Sequence, residues 1–292
     1  MAIIPHRLPD VDALGSADAL CRMLRASGRW AAVHAPEVPA IFDWALPAEV
    51  RADGAPPDDA LRIAIDTARQ DRLQWPEAVS LSIDHHEDNP GFARVVDWVA
   101  PAPSCTCLLP AVAESLGVPV DTAVATALYR GLVGDTECFR VNVGGEAFAW
   151  AAWFAERGAD CEGTADLFWS RSAGFWAYLS AVEKGARELE GRLPVRVVPI
   201  PAAWPDLFDL RPYENALLPA HIAAPDGGVL AILQEGRSGV RFRLRSRRVD
   251  VLPLAHALGG GGHPQAAGVV LPGVSLDEAE RRLRAAVRQV QG

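Results

Sequence analysis

Lysine is almost missing from the chain: of 28 basic residues only Lys184 is lysine, and 37 acidic residues outnumber them, for a net charge of −9. That balance excludes the broad basic surface that tracks a long nucleic-acid duplex, while leaving room for a small anion held through metals. Cysteine is scarce too. Cys21, Cys105, Cys107, Cys138 and Cys161 are an odd set without a Cys-x-x-Cys pair, which excludes a thiolate zinc knuckle or a dithiol redox motif and leaves reduced, partly buried thiols. No apolar run approaches the roughly 20 residues of a membrane span. Met1 to Leu8 also lacks a basic stretch leading into an apolar one, so a soluble cytoplasmic protein is expected. What is present is globular: half the residues are apolar and 22% charged, and 292 residues fit two domains better than one.

The first two thirds alternate short apolar runs with helical patterns, as βαβ units of a parallel sheet do. The spacing predicts strands over Ala2 to Pro5, Trp30 to His34, Leu61 to Ile65 and Val79 to Ile83. With only five residues before His6, the first strand is expected to be short or weakly held. Leu14, Ala17, Cys21 and Leu24 mark one helix and Val124, Leu128 and Leu132 another, with Gly117 and Gly158 where helices should end. Ser172 to Glu190 reads as a linker helix or hinge, so residues 1–171, 172–191 and 192–292 are expected as first domain, linker and second domain. Beyond the break at Gly191 and Pro194, Val195 to Ile200 starts a new apolar run. Val240, Phe242 and Leu244 then alternate with Arg241, Arg243 and Arg245, a half-buried strand with three guanidinium groups on one face. Ser275 with Glu278 announces a final helix by a capping box.

Chemistry-bearing residues recur just past the ends of these elements, where ligands bind in open α/β sheets. His6, Asp10 and Asp12 follow the first strand and, in an extended or loosely curled segment, can point the same way. Asp66 follows the third run and fits a helix N-cap as well as a ligand. Asp84, His85 and His86 close the fourth; a carboxylate and two imidazoles there are costly to desolvate unless paired or ligated. Asp135, with Gly134 and Thr136, ends the helix from Asp121 to Leu132 and fits a turn equally well. Four such places offering only oxygen and imidazole match a dinuclear Mn²⁺ or Mg²⁺ site.

These four stretches, in this order, resemble the motifs of the DHH phosphoesterase superfamily. Arg245-Ser246 and the run from Gly259 to Gly268, which includes Gly261, Gly262 and His263, resemble the signature of its associated DHHA1 domain. The resemblance spans nearly the whole chain and is nearest to the nanoRNase/pAp-phosphatase group. It implies an α/β fold: an N-terminal DHH domain with a mainly parallel sheet flanked by helices, a smaller α/β DHHA1 domain, and an active site in the cleft between them. It implies two divalent cations, manganese before magnesium or cobalt, with His6, Asp10 and Asp66 on one and Asp12, Asp66, His85 and Asp135 on the other. His86 would face the substrate phosphate, Asp84 would orient a histidine, and Arg245, Ser246, Gly261, Gly262 and His263 would bind substrate.

Two such cations about 3.5 to 4 Å apart clamp a phosphate and lower the pKa of water towards neutrality, so no serine or cysteine nucleophile is needed. The expected activity is manganese-dependent hydrolysis of short oligoribonucleotides to mononucleotides, of 3′-phosphoadenosine 5′-phosphate to AMP, or of both. A cyclic or linear dinucleotide phosphodiesterase is the alternative, with a pyrophosphatase or a non-enzymatic nucleotide sensor behind it. Partners are then short RNA or small nucleotides and, as an open question, a second copy of the chain, but no long duplex and no membrane. Read without the resemblance, the glycine run fits a flexible linker or a compact loop presenting N–H groups to an anion. Arg241 and Arg243 fit solvated charges, Cys105 and Cys107 packing thiols, and Trp75 and Trp98 either core or base-stacking residues.

Overall fold

The structure, a computed structural model, describes the chain except residues 36, 87–88, 142, 212–213 and 292 and the side chains of residues 40, 41, 216, 263 and 291. It divides into two compact units, Met1–Ser170 and Arg171–Gly292.

The first unit holds a five-stranded parallel sheet in the order β2-β1-β3-β4-β5, made of β1 (Ala2–Pro5), β2 (Ala32–Val33), β3 (Arg62–Ile65), β4 (Val79–Asp84) and β5 (Val96–Val99). β1 is not weakly held. It lies between β2 and β3, in register Ala2 with Ala32 and Arg62, and all four of its residues are buried. Such strands are apolar on both faces because both faces are covered. Ile3, Ile63 and Ile65 join the larger core with α1 (Val11–Ala26), α2 (Leu109–Leu116), α3 (Thr122–Asp135) and α4 (Gly145–Glu156). Ile4 and Ala64 turn the other way, to Leu73, Val79, Trp75 and Phe92. The expected strand from Trp30 shrinks to Ala32–Val33, with Trp30 left exposed. Helix α5 (Cys161–Trp169) completes the unit. Gly117 ends α2 in the left-handed conformation that a side chain disfavours (φ 65°).

Helices α1 and α3 pack unusually close. A Cβ on Gly15 would lie 2.5 Å from the Ala127 carbonyl oxygen, and one on Gly131 would lie 2.3 Å from Thr106 Cγ2 and 2.7 Å from Asp12 Oδ1. The missing side chains let the two helices bring Asp12 and Asp135 to one place.

The second unit is a mixed six-stranded sheet in the order β10-β11-β9-β8-β7-β6. Its strands are β6 (Arg187–Leu189), β7 (Val195–Ile200), β8 (Val229–Gly236), β9 (Gly239–Arg245), β10 (Gly261–His263) and β11 (Ala266–Pro272). Its helices are α6 (Ala173–Gly185), α7 (Trp204–Leu207), α8 (Glu214–His221), α9 (Leu252–Ala257) and α10 (Leu276–Gln291). One face, with Phe242, Leu244 and Val269, packs on α9 and α10; the other, with Val198, Ile200, Leu230 and Ile232, packs on α6 and α8.

The segment expected as a linker therefore differs in the structure. Phe175, Tyr178 and Val182 are fully buried in the core of the second unit, and the segment ends in strand β6. The glycine run is also neither a linker nor an open loop: Gly261–His263 forms an edge strand paired with Ala266–Gly268. Glycine is required at Gly262, where a Cβ would meet the Ala266 carbonyl oxygen at 2.6 Å. Ser275 Oγ accepts from the Glu278 N–H, while the Glu278 carboxylate pairs with Arg281 and Arg282 instead of closing the capping box. Among the described residues no helix is long and apolar enough to cross a membrane.

Candidate metal centre

The chain order of the parallel sheet reverses between β1 and β3, which leaves a crevice at their carboxyl ends. Because Pro5 lies beside Ile65 and Ile65 beside Ile83, the next residues of each strand, His6, Asp66 and Asp84, sit in a row. Asp66 is not an N-cap. The next helical turn, the 3-10 segment Gln70–Arg72, is preceded by Arg69 and not by Asp66, which holds a left-handed backbone (φ 54°) that aspartate adopts only at a cost. His6, Asp10 and Asp12 lie not on an extended segment but across the turn into α1. Asp10 is the N-cap, its Oδ1 accepting from the N–H groups of Asp12 and Ala13, and Asp12 is in the first helical turn. Asp135 belongs to the last turn of α3 and not to a loop beyond it. Glu137, Cys138 and Phe139, all with positive φ, then turn the chain sharply.

These elements bring together every metal ligand expected from the sequence. His85 Nε2 stands 3.8 Å from Asp12 Oδ2, 3.5 Å from Asp66 Oδ1 and 3.6 Å from Asp135 Oδ2. His6 Nε2 is 3.9 Å from Asp10 Oδ2, and ligand atoms of His6, Asp10 and Asp66 lie within 4.8 Å of one another. Asp66 thus belongs to both clusters. His86 Nδ1 is 3.9 Å from Asp66 Oδ1 but 2.7 Å from Asp84 Oδ1.

His85, His6 and Asp12 are held from behind. The Nδ1 atoms of His85 and His6 reach the carbonyls of Ala102 (3.1 Å) and Arg7 (2.8 Å), leaving each Nε2 lone pair facing the carboxylates. Asp12 accepts from the N–H groups of Cys105 (2.7 Å) and Thr106 (3.2 Å). Asp84, fully buried, accepts from the His85 N–H and the His86 ring on Oδ1, and from Asn89 Nδ2 on Oδ2. Cys105 and Cys107 are buried packing thiols; burial pushes the second up to about 12. Sequence reasoning missed the backbone donors at Cys105 and Thr106, the Ala102 carbonyl, Asn89 and Gly131. Only Asn89, a lone amide five residues past Asp84, left a signal.

The electrostatics are those of a site built for cations. Burial, then the charges of Asp12, Asp10, Asp135 and Asp84, push Asp66 well above the usual carboxylate range. Burial and the charges of Asp135 and Asp10 do the same to Asp12 against its two backbone donors, and burial raises Asp135 against His85 and His86. Asp84 moves the other way: burial opposes ionisation, but the His86 and Asn89 contacts prevail and hold it low. Burial also keeps His6 below its ordinary value, hence neutral and able to ligate. Asp66 Oδ1 is buried with no hydrogen-bond partner among the described residues. An orphaned oxygen among mutually repelling carboxylates is what a divalent cation would satisfy, and the donor set suits Mn²⁺ or Mg²⁺.

In the second unit, Arg245 ends β9 half-buried, with Nη1 donating to the Leu244 carbonyl at 3.0 Å. Ser246 is buried. Its hydroxyl donates to the Gly228 carbonyl and accepts from the N–H groups of Arg248 and Val249, so it holds the turn. Gly261 and Gly262 lie on the edge strand β10, as does His263, whose side chain is outside the described residues. Trp75 and Trp98 are partly buried against the two cores of the first unit.

The comparisons with known proteins agree with this geometry. The family model for the DHH family, N-terminal domain, matches residues 1–132, and that for the DHHA1 domain matches residues 223–291. The bifunctional oligoribonuclease and PAP phosphatase NrnA of Thermus thermophilus is 30% identical over 98% of this chain and 89% of its own length. The chain belongs to the DHH family of phosphoesterases. The cyclic-di-AMP phosphodiesterase GdpP of Geobacillus thermodenitrificans is 27% identical over 98% of this chain, which spans only 46% of that protein. Among solved structures, an exopolyphosphatase-related protein from Bacteroides fragilis superposes with a TM-score of 0.84, covering 99% of this chain and 92% of that one at 18% identity, a likeness of fold.

Proposed function

We propose that the chain is a manganese-dependent hydrolase of short oligoribonucleotides, 3′-phosphoadenosine 5′-phosphate, or both, acting through two divalent cations. The observation that carries this is the convergence of Asp12, Asp66 and Asp135 on His85 Nε2, with Asp66 Oδ1 buried and without a hydrogen-bond partner among the described residues. His6, Asp10 and Asp66 would hold one cation and Asp12, Asp66, His85 and Asp135 the other, Asp66 being shared. Bound there, the pair supplies Lewis acidity toward phosphoryl oxygens and acidifies water.

The chain's own residues do the rest. His86 is about two-fifths exposed, and its Nδ1–H donates to Asp84 Oδ1 at 2.7 Å. It is placed to hydrogen-bond a phosphoryl oxygen. As water adds to phosphorus and the ester P–O bond breaks, His86 gives its proton to the leaving oxygen and regains one from solvent. Asp84 and Asn89 fix the ring for that transfer. In the second unit, Arg245 would bind a substrate phosphate, Gly261, Gly262 and His263 would approach it along the edge of β10, and Ser246 would set the end of the arginine-bearing strand.

The likeness to GdpP supports a second reading, a dinucleotide phosphodiesterase. One assay separates the readings. The whole chain with Mn²⁺ is offered 3′-phosphoadenosine 5′-phosphate, a linear dinucleotide, a five-nucleotide RNA, cyclic di-AMP and pyrophosphate. Turnover of the first three that EDTA abolishes is expected; turnover of cyclic di-AMP alone moves the assignment to the second reading. Hydrolysis undiminished by chelation refutes the metal centre.

A further inference from the structure

The three arginines of β9 share one face of the second sheet, and only Arg245 has a role so far. Arg241 is exposed and Arg243 and Arg245 half-buried. Contrary to the expectation of a solvated charge, Arg243 is held in place. Its Nη1 donates to the Asn215 carbonyl at 2.7 Å, and Asn215 itself is fixed by Tyr178 and Gln234. No carboxylate among the described residues forms an ion pair with Arg241 or Arg243. Burial, with the charges of Arg241 and Arg245, makes the Arg243 cation costly despite the neighbouring Tyr178. Two aligned guanidiniums without a counter-charge, in line with a third, call for an external anion.

Beside Arg243 the surface is open, while Arg241 is opposite Val270 and Arg245 opposite Ala266. Arg243 is directly opposite Gly268 on β11, and Gly268 is opposite Gly261 on β10. A Cβ on Gly268 would meet only the Phe242 carbonyl oxygen at 3.9 Å, and one on Gly261 would meet nothing within 4 Å. Neither glycine has the left-handed backbone that excludes side chains, unlike the crowded Gly262. The absent side chains therefore open a floor about 10 Å wide, two interstrand spacings, next to the arginine row. Alternate residues of a strand recur about every 6.8 Å, comparable to the step between phosphates of an extended single strand.

We propose that Arg241, Arg243 and Arg245 form a track for successive phosphates of a short single-stranded oligonucleotide whose chain lies over the Gly268–Gly261 floor. This rests on the reading of the chain as a nucleotide phosphoesterase and deepens it: the second unit selects for chains of several phosphates over a lone bisphosphate nucleotide.

The test uses the full chain in chelator, with an end-labelled five-nucleotide RNA and with 3′-phosphoadenosine 5′-phosphate as competitor. R241Q and R243Q should each weaken pentanucleotide binding about tenfold. Each should lower the slope of log affinity against log salt by about 0.7, the value for one phosphate contact on a single strand. The preference for pentanucleotide over bisphosphate should fall in step. R237Q, at the exposed β8–β9 turn, removes the same charge off the track and should change nothing. Wild-type affinity and slope in R241Q would overturn the track, as would equal weakening of both ligands or an equal effect of R237Q. Arg241 is exposed, so the R241Q measurement decides the matter even if R243Q does not fold. Mn²⁺-dependent cleavage of the same RNA is scored separately: tight, arginine-dependent binding without cleavage defeats the proposed activity and leaves the track in place.

Discussion

Replacing Asp66 by asparagine should make the metal-free protein more stable while removing its response to metal. The carboxylate is buried, surrounded by Asp12, Asp10, Asp135 and Asp84, and has an oxygen with no hydrogen-bond partner among the described residues. Leaving such a group unsatisfied costs about 1 to 3 kcal/mol or more when it is charged. Asparagine keeps the shape and tolerates φ 54° as well as aspartate does, so D66N relieves the repulsion without adding backbone strain. At about 2 to 4 °C per kcal/mol for a unit of this size, the EDTA-treated variant should melt several degrees above wild type at pH 8. The sign fixes the pH window. A carboxylate raised above its unfolded value costs nothing below that value of 3.8; the cost grows as pH rises from there and is complete once pH passes the folded pKa. The advantage of D66N should therefore shrink towards pH 4. Mn²⁺ at a hundred times its dissociation constant should stabilise wild type by about 2.7 kcal/mol per site and D66N by much less. Tryptophan fluorescence on heating is a suitable readout, because seven of the nine tryptophans lie in the first unit. If D66N melts below wild type in EDTA at pH 8, Asp66 is part of a satisfied structural network and its carboxylate calls for no cation.

Other consequences follow from the same geometry. G131A would drive a Cβ into Thr106 and Asp12 Oδ1; a loss of about 1 to 3 kcal/mol in urea unfolding is expected, with weaker Mn²⁺ binding by calorimetry. D84N takes away the carboxylate charge at the 2.7 Å contact that orients the His86 ring and should lower kcat by about a hundredfold or more while Mn²⁺ still binds, whereas H85A should lose binding as well; a D84N enzyme with wild-type kcat would remove the Asp84–His86 pair from the proton transfer. Asp18, on α1, has its pKa pushed up to about 6 because burial outweighs the Arg22 contact. Its charge thus costs nothing below 3.8 and about 3 kcal/mol above 6, so wild type should lose stability relative to D18N as pH rises from 4 to 7; parallel urea midpoints across that range would contradict this.

The residues legible in the sequence were those whose chemistry is unusual wherever it occurs. Asp84-His85-His86 at the end of an apolar run announces a polar site because no core tolerates it unpaired, and the period-2 pattern of β9 shows which face the arginines share. What stayed hidden depends on partners far away in the chain. Asp12 is fixed by backbone N–H groups of Cys105 and Thr106, which any residue type could supply, and Gly131 is a glycine because the Thr106 and Asp12 side chains lie too near for a Cβ. Strand β6 is three residues long, and α6 reads as a linker until the strands that bury Phe175 and Tyr178 are in place. The glycine run misled for a related reason: glycines that permit close strand pairing and glycines that leave a surface open look alike in sequence. Gly262 is the first kind, and Gly268 and Gly261 are the second. Only the register Arg243–Gly268–Gly261 turns a compositional oddity into a surface with a direction and a width, and so into something a nucleotide chain can be tested against.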